Sequence, residues 1–174
     1  MAGRDHRHRI EHGSVCPPDL AERIASAGIM VVSNPAFIHY SGQRYLKTVA
    51  PSQLNYLYPF SSLMKKGVQV AAGSDAPIAP VNPLAGIYGA VTRKARGNGI
   101  VVEKEKIGVY EAVAMFTVMA ARSSFDENQK GIIAPGKIAD LVVLSDNPFT
   151  VPEEEIKNLR VEVTIIGGKV VYSR

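Results

Sequence analysis

The chain has 174 residues, of which 46% are hydrophobic and 21% charged, a composition that excludes a disordered segment and allows one real core. Its net charge of +4 is scattered over Arg4, Arg7 and Arg9, then Lys65 and Lys66, then Arg93, Lys94 and Arg96, with acidic neighbours in most segments. With 7% aromatics and no Trp, it lacks the clustered cations and stacking rings of a nucleic-acid groove.

No apolar run reaches the ~18 residues that span a bilayer, so no membrane partner is expected. The one cysteine, Cys16, cannot close an internal disulfide, which fits a reducing, cytoplasmic setting.

The first element is short: "HRIE" can extend as a strand ending at His12. "PPDLAERIASAG" (Pro17 to Gly28) reads as a helix opened by prolines, striped by Leu20, Ile24 and Ala27 and stopped by glycine. "IMVVSN" follows as a strand buried on both faces. From Pro35 to Pro51 no clean period survives among Gly, Ser and Pro, so a long loop is expected, with room for a short helix.

The alternation then resumes. Tyr58 to Gly67 reads as a helix, "VQVAAGSDAP" (Val68 to Pro77) as a buried strand running into a polar turn, and Leu84 to about Arg96 as another helix. Val109, Ala112, Val113, Phe116 and Ala120 recur at helical spacing within Gly108–Ser124. After Phe125 the chain turns to short β-branched runs, and "IIGGKVVY" reads as a hairpin on a two-residue Gly167-Gly168 turn.

The order β-α-β-α-β-α predicts parallel strands with right-handed crossovers, followed by a small β unit. Three parallel strands leave two open edges, and a closed (β/α)8 barrel takes about 250 residues. The expected fold is therefore α/β, residues 1–125 forming the last part of a larger TIM-like barrel and residues 126–174 a β module.

Two groups stand where such folds place chemistry, at the C-terminal ends of strands. Asp75, in "GSDAP", suits a divalent metal or proton transfer, but an Asp before a helix also suits an N-cap. His12 closes the "HRIE" strand and suits a metal ligand or a hydrogen-bonded structural role. His6 and His8 imitate a metal-binding H-x-H. Strand rise separates His8 from His12 by ~13 Å, and arginines surround them, so they read as solvated or structural. Cys16 reads as packing. Gly97-Asn98-Gly99 fits a turn better than a phosphate cradle.

Taken in order, "RHRIEH", "LMKKGVQVAAGSDAP", "NPLAGIYGAVTRK" and "KGIIAPGKIADLVVLSDNPF" with "VTIIGGKVVY" resemble the amidohydrolase superfamily. The nearest likeness is to its amidohydrolase-3 branch of N-substituted formamide deformylase-like and YtcJ-like proteins. The resemblance implies a (β/α)8 barrel with a composite β-sandwich, this chain supplying about strands 6–8 and part of the sandwich through Lys130 to Leu144.

It also implies a metal-dependent hydrolase, commonly with zinc, acting on a carbon–nitrogen bond other than a peptide bond in a small amide-type substrate. His12 matches the sixth-strand metal ligand and Asp75 the eighth-strand aspartate that binds metal and shuttles the proton. His39, Tyr40 and Arg44 in the loop after the second strand are candidates for substrate contact.

The family's first-strand H-x-H, fourth-strand carboxylate or modified lysine, and fifth-strand histidine have no counterparts in this sequence. The resemblance therefore implies a chain inactive alone, needing a complementing N-terminal half. The other expectation is a non-catalytic chain that only associates, with that half or as a homo-oligomer.

Overall fold

The computed structural model describes residues 5–97 and 99–174; Arg4 and Asn98 lie outside the described residues. Strands β1 (Arg9–Glu11), β2 (Met30–Ser33) and β3 (Val70–Ala72) form a parallel sheet in that order, with Ile10 opposite Val31 and Val31 opposite Val70. The central strand and β3 are buried, as their unbroken apolar runs require, while β1 is an exposed edge.

Between the strands run α1 (Pro18–Ser26), then α2 (Ala36–Thr48), α3 (Pro51–Leu54) and α4 (Phe60–Lys65). After β3 come α5 (Pro83–Thr92), a 3-10 turn at Glu103–Glu105, α6 (Val109–Phe116) and α7 (Val118–Ser123). Among the described residues, no helix is long and apolar enough to cross a membrane.

Three expectations need correction. The stretch from Pro35 to Pro51 is not a long loop but chiefly the 13-residue helix α2. Gly42, which reads as a breaker, is a packing requirement. A Cβ there would lie 2.8 Å from both Ala95 Cβ and Val101 Cγ2, so glycine lets the helix press onto the chain beyond α5. The helix begun at Leu84 stops at Thr92 rather than Arg96, because Arg93 turns left-handed (φ 60°). The helix over 108–124 breaks at Thr117 (φ −120°, ψ −92°) into α6 and α7.

Arg93, one of the cations over which the net charge is scattered, is fully buried. Its guanidinium donates to the carbonyls of Val101 (2.7 Å), Leu57 (2.9 Å) and Tyr58 (3.0 Å), tying the end of α5 and the Val101 segment to Leu57–Tyr58. Buried Glu105 does similar work for α4: it accepts from Ser62 N (2.9 Å) and Ser62 Oγ (2.6 Å).

Strands β4 (Leu141–Leu144), β5 (Val161–Ile166) and β6 (Lys169–Ser173) form an antiparallel sheet. Ile166 pairs with Lys169 around Gly167 and Gly168, both at positive φ, the two-residue hairpin that the sequence predicts.

This sheet leaves Val142, Val143, Val170 and Val171 exposed, yet the segment carrying it is not separate from the rest. A 3-10 turn at Glu153–Asn158 sends Ile156 into the same core as Val31, Phe60 and Leu84. Glu154 on that turn accepts from Lys94 Nζ (2.6 Å) and Tyr88 Oη (3.2 Å). At the other end of the chain, Arg7 donates to Arg122 O (2.8 Å), pairs with Asp5 and Glu127, and lies 4.2 Å from the centre of the Phe125 ring.

Candidate metal centre

The C-terminal ends of β1, β2 and β3 converge through a short polar network. Gly13 N donates to Glu11 O (2.9 Å), closing a three-residue turn with His12 at φ 66° in its centre. Only glycine fits the next position, since a Cβ on Gly13 would meet Val31 Cγ1 at 2.9 Å. His12 N extends the β1–β2 ladder by donating to Val32 O (2.7 Å), and Ser33 Oγ donates to His12 O (2.6 Å). On the other side of β2, Gly73 N donates to Ser33 O (2.9 Å).

Asn34, buried at the end of β2, spans both neighbours. Its Oδ1 lies 2.6 Å from His12 Nδ1, and its Nδ2 donates to Gly73 O (3.1 Å). His12 Nε2 has no hydrogen-bond partner among the described residues.

Asp75 follows β3 in the left-handed region (φ 55°) and is exposed. Its main-chain carbonyl accepts from Ile78 N (2.9 Å), while its carboxylate has no partner among the described residues. The helix-cap alternative fails here: α5 is capped by Asn82, whose Oδ1 accepts from Leu84 N (3.0 Å). With β2 between them, the backbones of β1 and β3 stand ~10 Å apart. Among the described residues, one imidazole nitrogen and one carboxylate are thus left uncommitted at the ends of the two strands that flank β2.

A backbone outlier that persists in a well-ordered fold marks a place where surrounding contacts override local preference, and such places cluster at functional sites. Both candidate donors are such outliers. They form a pair rather than a full coordination set: no group of three His, Cys, Asp or Glu able to hold a metal ion occurs among the described residues.

His6 and His8 lie beyond the opposite end of β1 from His12. Their rings stack at 4.5 Å, and His6 Nε2 is 3.2 Å from Ala27 O, a structural arrangement. Cys16 is buried, and that burial pushes its thiol pKa up, against a nucleophilic role.

The proposed substrate-contact residues sit on α2, not on a loop. His39 Nδ1 is 3.3 Å from Lys94 O and its ring meets Tyr88 edge-on at 5.1 Å. Arg96 covers the Tyr40 ring at 4.4 Å, and Arg44 is exposed beside Tyr45. Among the described residues, no hydrogen bond or ring contact joins these three to His12, Asn34 or Asp75. A cavity of about 510 Å³ lies elsewhere, between α6–α7 and Lys130–Val142, with Phe116, Ile138 and Leu141 in its walls.

Sequence reasoning overlooked Asn34 and Ser33. The available signal was two polar residues directly after a wholly apolar strand, at the end where parallel folds place their sites.

A model of the amidohydrolase family matches residues 1–172. The chain belongs to the amidohydrolase family. Among its amidohydrolase relatives, the putative amidohydrolase YtcJ of Bacillus subtilis (strain 168) is 34% identical over 98% of this chain and 33% of its own length. N-substituted formamide deformylase of Arthrobacter pascens is 29% identical over 95% of this chain and 31% of its own.

An uncharacterized metal-dependent hydrolase from Pyrococcus horikoshii OT3 superposes with TM-score 0.75 at 27% identity, over 85% of this chain and 30% of that one. This amidohydrolase chain therefore spans about a third of the length of the curated relatives it matches.

Proposed function

We propose that the chain contributes His12 and Asp75 to the metal site of a hydrolase that cleaves a non-peptide carbon–nitrogen bond in a small amide or formamide. The observation that carries this is the pair of uncommitted donors, each on a left-handed residue at a strand end of one parallel sheet. An imidazole nitrogen and a carboxylate suit a borderline divalent ion such as zinc. The names of two similar proteins, a formamide deformylase and a metal-dependent hydrolase, point the same way.

When bound, such an ion supplies Lewis-acid activation of water and of the substrate carbonyl. His12 would hold it through Nε2. Asp75, whose carboxylate has no hydrogen-bond partner among the described residues, would help hold it and take the proton that water loses on adding to the carbonyl carbon. The same carboxyl would return that proton to nitrogen as the carbon–nitrogen bond breaks. His39, Tyr40 and Arg44 remain candidates for substrate contact, with Arg44 the exposed cation among them.

In this reading β1, β2 and β3 are strands 6–8 of a (β/α)8 barrel, with the boundary to a composite sandwich near residue 125. A zinc site takes at least three protein ligands. The activity is therefore proposed to need ligands from further polypeptide, and the lone buried thiol suits a reducing cytoplasm.

The test is zinc-dependent hydrolysis of small formamides by the chain complemented with the upstream segment of a relative. Asp75→Asn should lower turnover ~100- to 10,000-fold, the usual range for losing a proton-transfer group. Undiminished turnover would remove Asp75 from the mechanism.

The apolar outer surface of β4–β6 favours a second reading, in which the chain acts by association alone. Light scattering after size exclusion decides it: a well-folded monomer speaks against that role.

A further inference from the structure

The hydrogen-bond logic around Asn34 has only one solution. A main-chain carbonyl can only accept, so the arm of Asn34 facing Gly73 O must be the amide NH2, 3.1 Å away. The arm facing His12 is then the amide oxygen, which can only accept. His12 Nδ1, 2.6 Å from that oxygen, must therefore carry a hydrogen. In the neutral ring the remaining lone pair is on Nε2.

We infer that Asn34 is a positioning residue that fixes His12 as its Nδ1–H tautomer, so that Nε2 is the atom presented for ligation. The relay begins at Gly73, two residues before Asp75, and so the amide ties both donors to one frame.

Three features make this a built arrangement rather than a chance contact. Asn34 is only 5% exposed, so water does not compete for either arm. Ser33 Oγ holds the His12 carbonyl, which limits rotation of the residue whose ring Asn34 orients. The chain cannot drift at this point, because Gly13 N is tied to Glu11 O and Gly73 N to Ser33 O. Ligating histidines generally donate their second ring N–H to a fixed acceptor, and Asn34 Oδ1 is such an acceptor here.

The consequence for metal binding rests on the function proposed above; the tautomer itself does not. Long-range 1H–15N correlation spectra of the 15N-labelled chain, taken above the ordinary histidine pKa, read each ring's tautomer directly, and His12→Gln assigns the signal. The wild-type His12 ring should show a protonated Nδ1 and a pyridine-like Nε2.

Asn34→Ala should shift His12 toward the Nε2–H form, and Asn34→Asp, whose carboxylate accepts in the same place, should restore Nδ1–H. His39, whose Nδ1 faces the Lys94 carbonyl, should stay Nδ1–H in all of them and serves as the internal control.

A Zn2+ titration of the labelled chain complemented with the upstream segment of a relative, followed through the same spectra, should move wild-type Nε2, with affinity ~10- to 100-fold weaker in Asn34→Ala. A wild-type His12 found as Nε2–H, or a tautomer indifferent to Asn34→Ala, overturns the inference even if the alanine variant proves too unstable for titration. If zinc leaves Nε2 unmoved while the tautomer still follows Asn34, the metal reading fails and the positioning role stands.

Discussion

His12 and Asp75 are bound to their positions by different means. His12 is held by backbone, by Ser33 and by Asn34, whereas Asp75 is held by one turn hydrogen bond and leaves its side chain free. A left-handed non-glycine residue costs roughly 1–2 kcal/mol. Asp75→Gly should therefore leave stability unchanged or raise it by up to ~1 kcal/mol, since glycine's own entropy cost offsets part of the relief. Urea unfolding measures this, and a clear loss of stability would mean that the carboxylate holds the loop together.

His39 gives a pH dependence with a definite sign. Burial lowers its pKa, the Lys94 carbonyl opposes that, and Arg96 and Lys157 reinforce it. As pH falls through the ordinary value of ~6.5, the unfolded chain takes up a proton that the folded chain refuses. Stability should therefore fall as the solution is acidified from neutrality toward the depressed folded pKa. Glu127, Glu154 and Asp126 also have lowered pKa values, so the stability they contribute is lost only as pH falls through the ordinary carboxylate range, about 4, and below. Replacing His39 with Gln should flatten the slope in chemical unfolding midpoints between those limits.

Among the elements, the helices are positioned by close approach more than by propensity. Gly42→Ala adds a methyl group 2.8 Å from two side chains and should destabilise the fold by ~1–3 kcal/mol, although alanine favours helix. A neutral or stabilising result would show that α2 can slide.

Arg93 ends α5 and satisfies three carbonyls at once. Arg93→Met would leave the Val101 and Leu57 carbonyls without donors, since Tyr58 O keeps Phe60 N (2.9 Å), at a cost of at least ~2 kcal/mol. Arg93→Lys should recover little, because one ammonium lacks the planar fork that reaches several segments.

Element types were largely legible. Apolar runs gave β2 and β3, proline and glycine bounded α1, and the Gly-Gly pair gave the β5–β6 hairpin. α2 was hidden because Ser41 and Gly42 resemble turn residues until the partner surface is known. The break at Thr117 was hidden because Val113, Phe116 and Ala120 keep one helical period across it.

At the scale of the whole molecule, one core runs from the parallel sheet to the segment beyond residue 125. Ile156 is completely buried in one core with Val31 and Val70 of the parallel sheet, while the sheet formed by β4–β6 keeps much of its apolar surface in solvent. Ile156→Ala should cost ~2–5 kcal/mol. It should also shift the unfolding of the whole chain as one transition in calorimetry. Separate transitions for the two parts would show that the shared core does not couple them.

The amino-acid sequence by itself determined the alternation of strands and helices and the position of His12 and Asp75 just beyond the ends of two strands. Those follow from local patterns: buried runs, breakers, and polar groups placed just after apolar ones. Only the tertiary structure decided that Arg93 is internal and that Asn34 joins three strand ends. Each of these depends on residues distant in sequence, such as His12, Asn34 and Gly73, being brought within hydrogen-bond reach by the parallel register. The spacing of residues along one chain carries no record of that register.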